Sequence, residues 1–193
     1  MKRIAIYCAS SSKIREHYFR ETEKLAILLV QNNYEVVCGG GAVGLMGILA
    51  DTMLKNGGKI TGVIPHFMNN LEWGHSGLTD LVVVNTMHER KHAMLENTDG
   101  LIALPGGTGT MEELLEAITL KRLGLYTKPI VILNTNGFYD PLQEMFKRCI
   151  SENFMNGRHN DMWRFVKTPA EVIDVLNTMP VWDKNAIDFA VVK

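Results

Sequence analysis

A chain of 193 residues, 46% of them hydrophobic, suffices for one domain whose core needs no disulfide staples. Its 20 Lys and Arg nearly balance 21 Asp and Glu, so at a net charge of -1 no global basic field gathers nucleic acid. Cys8, Cys38 and Cys149 show no CxxC or zinc-type spacing and no apolar run approaches a membrane span, so we expect a metal-free protein in a reducing, cytoplasmic setting.

Apolar runs alternate with amphipathic stretches along the chain. Met1-Lys2-Arg3 opens into a strand over Arg3–Cys8 with no leader pattern. A helix over Glu16–Asn32 follows, with Leu25, Leu28 and Leu29 at helical spacing, and then a strand over Tyr34–Cys38. Next come a helix over Gly44–Asn56, stopped by Gly57-Gly58, and a strand over Lys59–Ile64, ended by Pro65. His66–Thr79 has no clear period. Leu81–Asn85 reads as a strand, Met87–Glu96 as a helix and Leu101–Leu104 as a strand. Thr110–Leu123 reads as a helix, Pro129–Leu133 as a strand and Pro141–Glu152 as a helix. A last βα unit lies near Phe165–Val166 and Pro169–Met179. This order predicts an α/β doubly wound parallel sheet of about six or seven strands with helices on both faces. One domain over 1–179 is expected, with a tail over 180–193 that has no clear role.

In such a sheet a ligand sits beyond the carboxyl ends of the strands. The polar and glycine-rich segments collect on that edge: Ala9–Ser12, Gly39–Gly47, Met87–Lys91 and Pro105–Glu113. Ser10, Gly40 and Gly41 are candidate phosphate or ribose contacts there. Gly39, Gly41 and Gly44 satisfy GxGxxG, but after the second strand, and no carboxylate ends the third strand to hold a dinucleotide ribose. Tight packing alone is a competing explanation of those glycines.

The loop Pro105-Gly106-Gly107-Thr108-Gly109-Thr110 is more specific. Its glycines let backbone N–H groups face one point, and the following helix adds the positive end of its dipole, which together make an anion site. No GK[ST] follows, so no lysine reaches a β- or γ-phosphate, which favours a monophosphate. Glu112 and Glu113 are expected in the first turn of that helix, either complementing its dipole or reaching the anomeric carbon of a bound nucleotide. On the helix before, Lys91 shares a face with Met87 and Met94, and Arg90 lies on its flank. Either both cations run to solvent along their stems, or Arg90 points into the cleft and binds phosphate or an active-site carboxylate. Glu72 and His75 lie in the aperiodic segment, where loops often carry function.

Together these segments resemble the Lonely Guy family of cytokinin-activating phosphoribohydrolases. The PGGxGTxxE hallmark reads Pro105–Glu113, preceded by GGGxxGLMG at Gly39–Gly47, Glu72-x-x-His75, and MHERK at Met87–Lys91. The resemblance runs from Lys2 to Met179. It implies a Rossmann-like fold, a homodimer, no cofactor, and hydrolysis of nucleoside 5′-monophosphates to free base and ribose 5-phosphate. By motif position it implies that Arg90 and Glu113 are catalytic, and that Glu72, Lys91, Gly106, Gly107, Thr108, Gly109, Thr110, Glu112 and Thr119 contact substrate. Ala9, where many relatives have glycine, and Trp73, where relatives often have a smaller residue, depart from the pattern. Some members carry the label lysine decarboxylase, but no lysine here has a recognisable pyridoxal-binding setting. A nucleotide-binding protein without turnover, or a phosphoribosyl transferase, are the rival readings.

Overall fold

The computed structural model describes residues 2–69 and 74–191. Its sheet has seven strands in the order β4-β3-β2-β1-β5-β6-β7, and every pairing is parallel. These are β1 (Lys2–Tyr7), β2 (Tyr34–Cys38), β3 (Ile60–Pro65), β4 (Asp80–Val84), β5 (Gly100–Ala103), β6 (Ile130–Leu133) and β7 (Arg164–Val166). The helices are α1 (Glu16–Gln31), α2 (Gly44–Lys55), α3 (His66–Asn69), α4 (Met87–Leu95), α5 (Thr108–Arg122), α6 (Asp140–Ser151) and α7 (Pro169–Thr178). The expected fold class is the one observed.

The pleat sends alternate side chains to opposite faces, and both faces are covered. Ile4 and Ile6 of β1 pack with Leu25 of α1, Leu49 of α2 and Val172 of α7. Ala5 and Tyr7, one residue out of phase, pack with Met94 of α4, Leu114 of α5 and Phe146 of α6. Helix ends follow local chemistry. Asn33, with φ of 57°, takes the left-handed conformation after α1, and Gly57, with φ of 77°, does so after α2.

Strand β1 sits centrally, bonded to β2 on one side and β5 on the other. The chain winds outward through β4 and then returns to β5, so the switch point lies between β1 and β5. Four-residue α3 gives part of the aperiodic segment a form the pattern did not announce. Residues 180–191 fold back onto the body. Trp182 N–H donates to Thr127 O (2.8 Å), Arg122 donates to Ala190 O, and Ala186 is buried. Among the described residues no helix is long and apolar enough to cross a membrane.

Candidate active site

At the switch point a cleft of about 610 Å³ opens, within the range of small-ligand sites. Ser10, Gly41, Arg90, Gly107, Thr108, Gly109, Thr110, Glu112 and Glu113 all line it. Gly40 and Gly106 are buried next to that lining. Glu72 and Trp73 lie outside the described residues.

The N-terminus of α5 is open toward the cleft. The helix starts at Thr108, two residues earlier than the pattern suggests, behind Gly107 at the N-cap and without a side-chain cap. Its first turn is therefore Thr108, Gly109 and Thr110, whose N–H groups precede the first bond, from Met111 N–H to Gly107 O (3.1 Å). A Cβ on Gly107 or Gly109 would meet no atom within 4 Å, so the space above this turn is open. Gly106 serves packing instead, since a Cβ there would overlap the Thr110 side chain.

The earlier start corrects a second expectation. Glu112 and Glu113 fall in the second turn, not the first, where they are poor partners for the helix dipole. Glu113 stands five residues beyond Thr108, or ~7.5 Å along the axis, and helical side chains lean back toward the N-terminus. Its carboxylate thus shares the cleft with those open N–H groups.

Arg90 is placed by a reciprocal cap. Thr86 Oγ1 accepts the Glu89 N–H (3.1 Å), and the Glu89 carboxylate accepts the Asn85 N–H (2.9 Å), which fixes where α4 begins. Contrary to the expected face, Arg90 and Met94 are the buried residues of α4, and Lys91 takes the flank. Met87 stays partly exposed and lines the cleft. Arg90 Nε donates to Val63 O (3.0 Å) and Nη1 donates to Glu113 Oε1 (2.5 Å). Both residues are 8% exposed, so this is a buried ion pair. A Cβ on Gly39 would overlap Arg90 Nη2, which is why glycine lies against the guanidinium. Burial pushes the Glu113 carboxyl above its ordinary range, and the Arg90 charge and hydrogen bond pull it back.

Lys91 takes the other carboxylate. Its Nζ lies 2.7 Å from Glu112 Oε1 and 2.7 Å from Glu116 Oε2. Those two hydrogen bonds raise the ammonium pKa and keep it charged. Two consecutive residues of α4 therefore hold two consecutive carboxylates of α5, so neither carboxylate is left to repel a phosphate. Thr119 stands apart: it is exposed, bonds Leu115 O (2.8 Å), and lines an adjoining groove with Lys91, Met111 and Leu115.

The turn before α2 behaves differently. Ala9 O accepts the Leu45 N–H (2.9 Å) and the Met46 N–H (3.4 Å), so backbone already occupies this helix N-terminus. Ala9 N–H in turn donates to Pro105 O (3.3 Å), making Ala9 a strut between the two glycine turns. The apolar side of the cleft comes from Val43, Met46, Ile64, Met68 and Met87. Sequence reasoning missed this wall, the strut and the Val63 acceptor. Only the Thr86-x-x-Glu89 box had a readable signal. Burial pushes the Cys8 thiol well up and the Cys38 thiol to about 11, so neither supplies a thiolate near neutral pH.

An uncapped helix N-terminus at a switch point, beside a buried Arg–Glu pair, is an arrangement in an α/β protein that suits an anionic ligand and a developing positive charge. Comparison with known proteins agrees. The chain is 41% identical over 155 residues to cytokinin riboside 5′-monophosphate phosphoribohydrolase LOG2 of Arabidopsis thaliana, covering 80% of this chain and 73% of that protein. It is 42% identical over 153 residues to a probable phosphoribohydrolase of the same description, LOGL1, from Oryza sativa subsp. japonica, covering 79% and 69%. A family model described as "possible lysine decarboxylase" matches residues 46–176. The chain belongs to the Lonely Guy family. The molybdenum cofactor carrier protein of Chlamydomonas reinhardtii shares the fold, with a TM-score of 0.71 at 17% identity over 92% of this chain and 97% of that one.

The decarboxylase description fits these residues poorly. Pyridoxal chemistry needs a lysine free to form a Schiff base. Lys91, at the rim, is held as an ammonium by two carboxylates. Burial pushes Lys121 down to about 7, but it is enclosed at the opposite end of α5, donating to Lys128 O.

Proposed function

We propose that this protein hydrolyses the N-glycosidic bond of adenosine 5′-monophosphates carrying an apolar N6 substituent, releasing the free base and ribose 5-phosphate. The observation that carries this reading is the Arg90–Glu113 pair next to the open first turn of α5, in one cleft. The 5′-phosphate caps the N–H groups of Thr108, Gly109 and Thr110. Ribose then extends along α5 toward Glu113, and the base lies against Met46, Met68 and Met87. As the C1′–N bond breaks, its electron pair goes to the base and positive charge builds on the sugar. The Glu113 carboxylate stabilises that charge and takes a proton from the water whose oxygen joins C1′. Returned to the base, this proton balances the reaction. Arg90 stays charged throughout and keeps Glu113 ionised despite burial.

The name of the Arabidopsis relative supports this substrate class, and the apolar wall suits a hydrophobic substituent. We further propose a homodimer in which a second copy covers the groove of Met111, Leu115 and Thr119, since Leu115 is 42% exposed beside the cleft rim. The near-neutral charge favours a small-molecule partner over nucleic acid. The three unpaired cysteines suit a cytoplasmic setting.

The test incubates purified protein with AMP and with isopentenyladenosine monophosphate and separates the products. Wild type releases base and ribose 5-phosphate, faster from the modified nucleotide, while Glu113→Gln binds without turnover. Equal turnover by Glu113→Gln would overturn the mechanism. Light scattering during size-exclusion chromatography tests the dimer, and a monomer at micromolar concentration would refute it.

A further inference from the structure

His75 lies outside the chemistry just described, yet it makes more contacts than a surface turn needs. Its N–H donates to Gly40 O (2.9 Å), and its neighbour Gly74 forms an antiparallel bridge with Gly41. The ring is fixed at both nitrogens. Nδ1 accepts the Gly77 N–H (3.0 Å), which leaves Nε2 as the donor to Asp51 Oδ1 of α2 (3.0 Å). The ring side chain is only 13% exposed, whereas that of Asp51 is 69% exposed.

The bonds run toward the reacting groups. Gly39 to Gly41 form the cleft wall between β2 and α2, and Gly39 lies against the Arg90 guanidinium. Gly40, with φ of 75°, packs on the Gly62 backbone from the other side. The turn carrying His75 is therefore bonded to the same glycine wall that packs on Gly62, Met46 and Arg90. A pair whose carboxylate is largely solvated adds little to global stability, so its effect lies in local geometry.

We propose that His75 is a positioning residue: with Asp51 it latches the Gly74–Gly77 turn onto the Gly39–Gly41 wall, fixing the backbone against which Arg90 and the ligand lie. The latch touches no reacting atom. Its kinetic signature rests on the hydrolase reading, and its structural signature does not.

The test compares Asp51→Ala, His75→Ala and the double variant in the full chain. Two readouts serve: steady-state hydrolysis of the modified nucleotide, and exchange of the His75 amide, which is bonded to Gly40 O, in ligand-free protein. Each single change raises KM about fivefold, in keeping with loss of one charge-assisted hydrogen bond, and leaves kcat within about twofold. The double variant is no worse than either single one, because both remove the same latch. Asp51→Asn keeps the acceptor oxygen and stays close to wild type. Faster exchange at the His75 amide accompanies the KM change. Multiplying effects in the double variant, or unchanged KM and unchanged exchange in Asp51→Ala, would overturn the latch. Should His75→Ala fail to fold, Asp51→Ala decides, because its side chain is exposed. If wild type shows no turnover the hydrolase reading fails, and amide exchange with AMP affinity still decides the latch.

Discussion

Helices α2 and α5 both start at the carboxyl edge of the sheet behind a glycine-rich turn, one on each side of β1. Before α2, every glycine space is filled. Gly44 is pressed on the Ser10–Ser11 backbone at a φ of 67°, Gly40 on Gly62, and Ala9 O occupies the helix N-terminus. Before α5, Gly107 and Gly109 face open space and the first three N–H groups await a partner. Two similar strings of glycine thus do opposite things: one lets protein approach protein, the other leaves room for a ligand. A glycine pattern alone cannot separate these tasks, because both ask only that a Cβ be missing.

The sharpest way to break this contrast lies at the far side of the α5 site. Arg90→Met strands a buried carboxylate, a change that costs about 3–5 kcal/mol where no relaxation occurs. Turnover falls by about two orders of magnitude, the scale of losing a positioned charge in a water-poor site. The pH profile tells more than the rate. Glu113 works ionised, and burial raises its pKa, so kcat/KM falls as pH drops through a value above the usual carboxylate range. Arg90 is the influence that lowers that value, so in the variant the acid limb moves to higher pH. On stability the raised pKa acts in the other direction, since the folded state gains as pH falls through it. An acid limb that stays in place would mean that Glu113 is not the titrating group.

Gly44→Ala and Gly109→Ala test the two turns directly. Alanine at 44 must adopt positive φ and overlap the Ser10 carbonyl carbon, so we expect a loss of about 2–4 kcal/mol in urea unfolding. Alanine at 109 meets no protein atom and favours helix by about 0.5–1 kcal/mol, so Tm holds or rises. Its methyl enters the space of the proposed phosphate, so KM should rise about tenfold, or ~1.4 kcal/mol of binding. The reverse pattern, with 44 tolerant and 109 unfolding, would overturn the division of labour.

The sequence was more legible for the frame than for this division. All seven strands and the longer helices appear within a few residues of their expected places, because parallel strands buried on both faces leave continuous apolar runs. The α5 start was misplaced by two residues, since Thr108-Gly109 reads as loop when glycine is scored for helix interiors rather than first turns. Helical spacing puts Lys91 on the Met87–Met94 face and Arg90 on its flank, leaving open whether Arg90 enters the cleft; it is the buried one because Glu113 and Val63 O meet its charge. The Ala9 strut and the docking of residues 180–191 rest on a few long-range hydrogen bonds, which no local pattern records.

The smallest expected effect separates two roles for Lys91. Motif position makes it a substrate contact, whereas here its ammonium is taken by Glu112 and Glu116. If its task is to neutralise Glu112 at the mouth of the anion site, Lys91→Met leaves an uncompensated carboxylate beside the phosphate. Glu112 is 57% exposed at its side chain, so solvent screens the repulsion and KM rises only about threefold at low salt. Raising salt shrinks the difference. Adding Glu112→Gln to Lys91→Met then restores KM, because the repulsive charge is gone. A lysine that contacts phosphate directly predicts no such recovery, since the lost attraction is not replaced by removing a neighbouring charge. KM for the single and double variants at two salt concentrations therefore decides whether Lys91 belongs to the ligand or to α5.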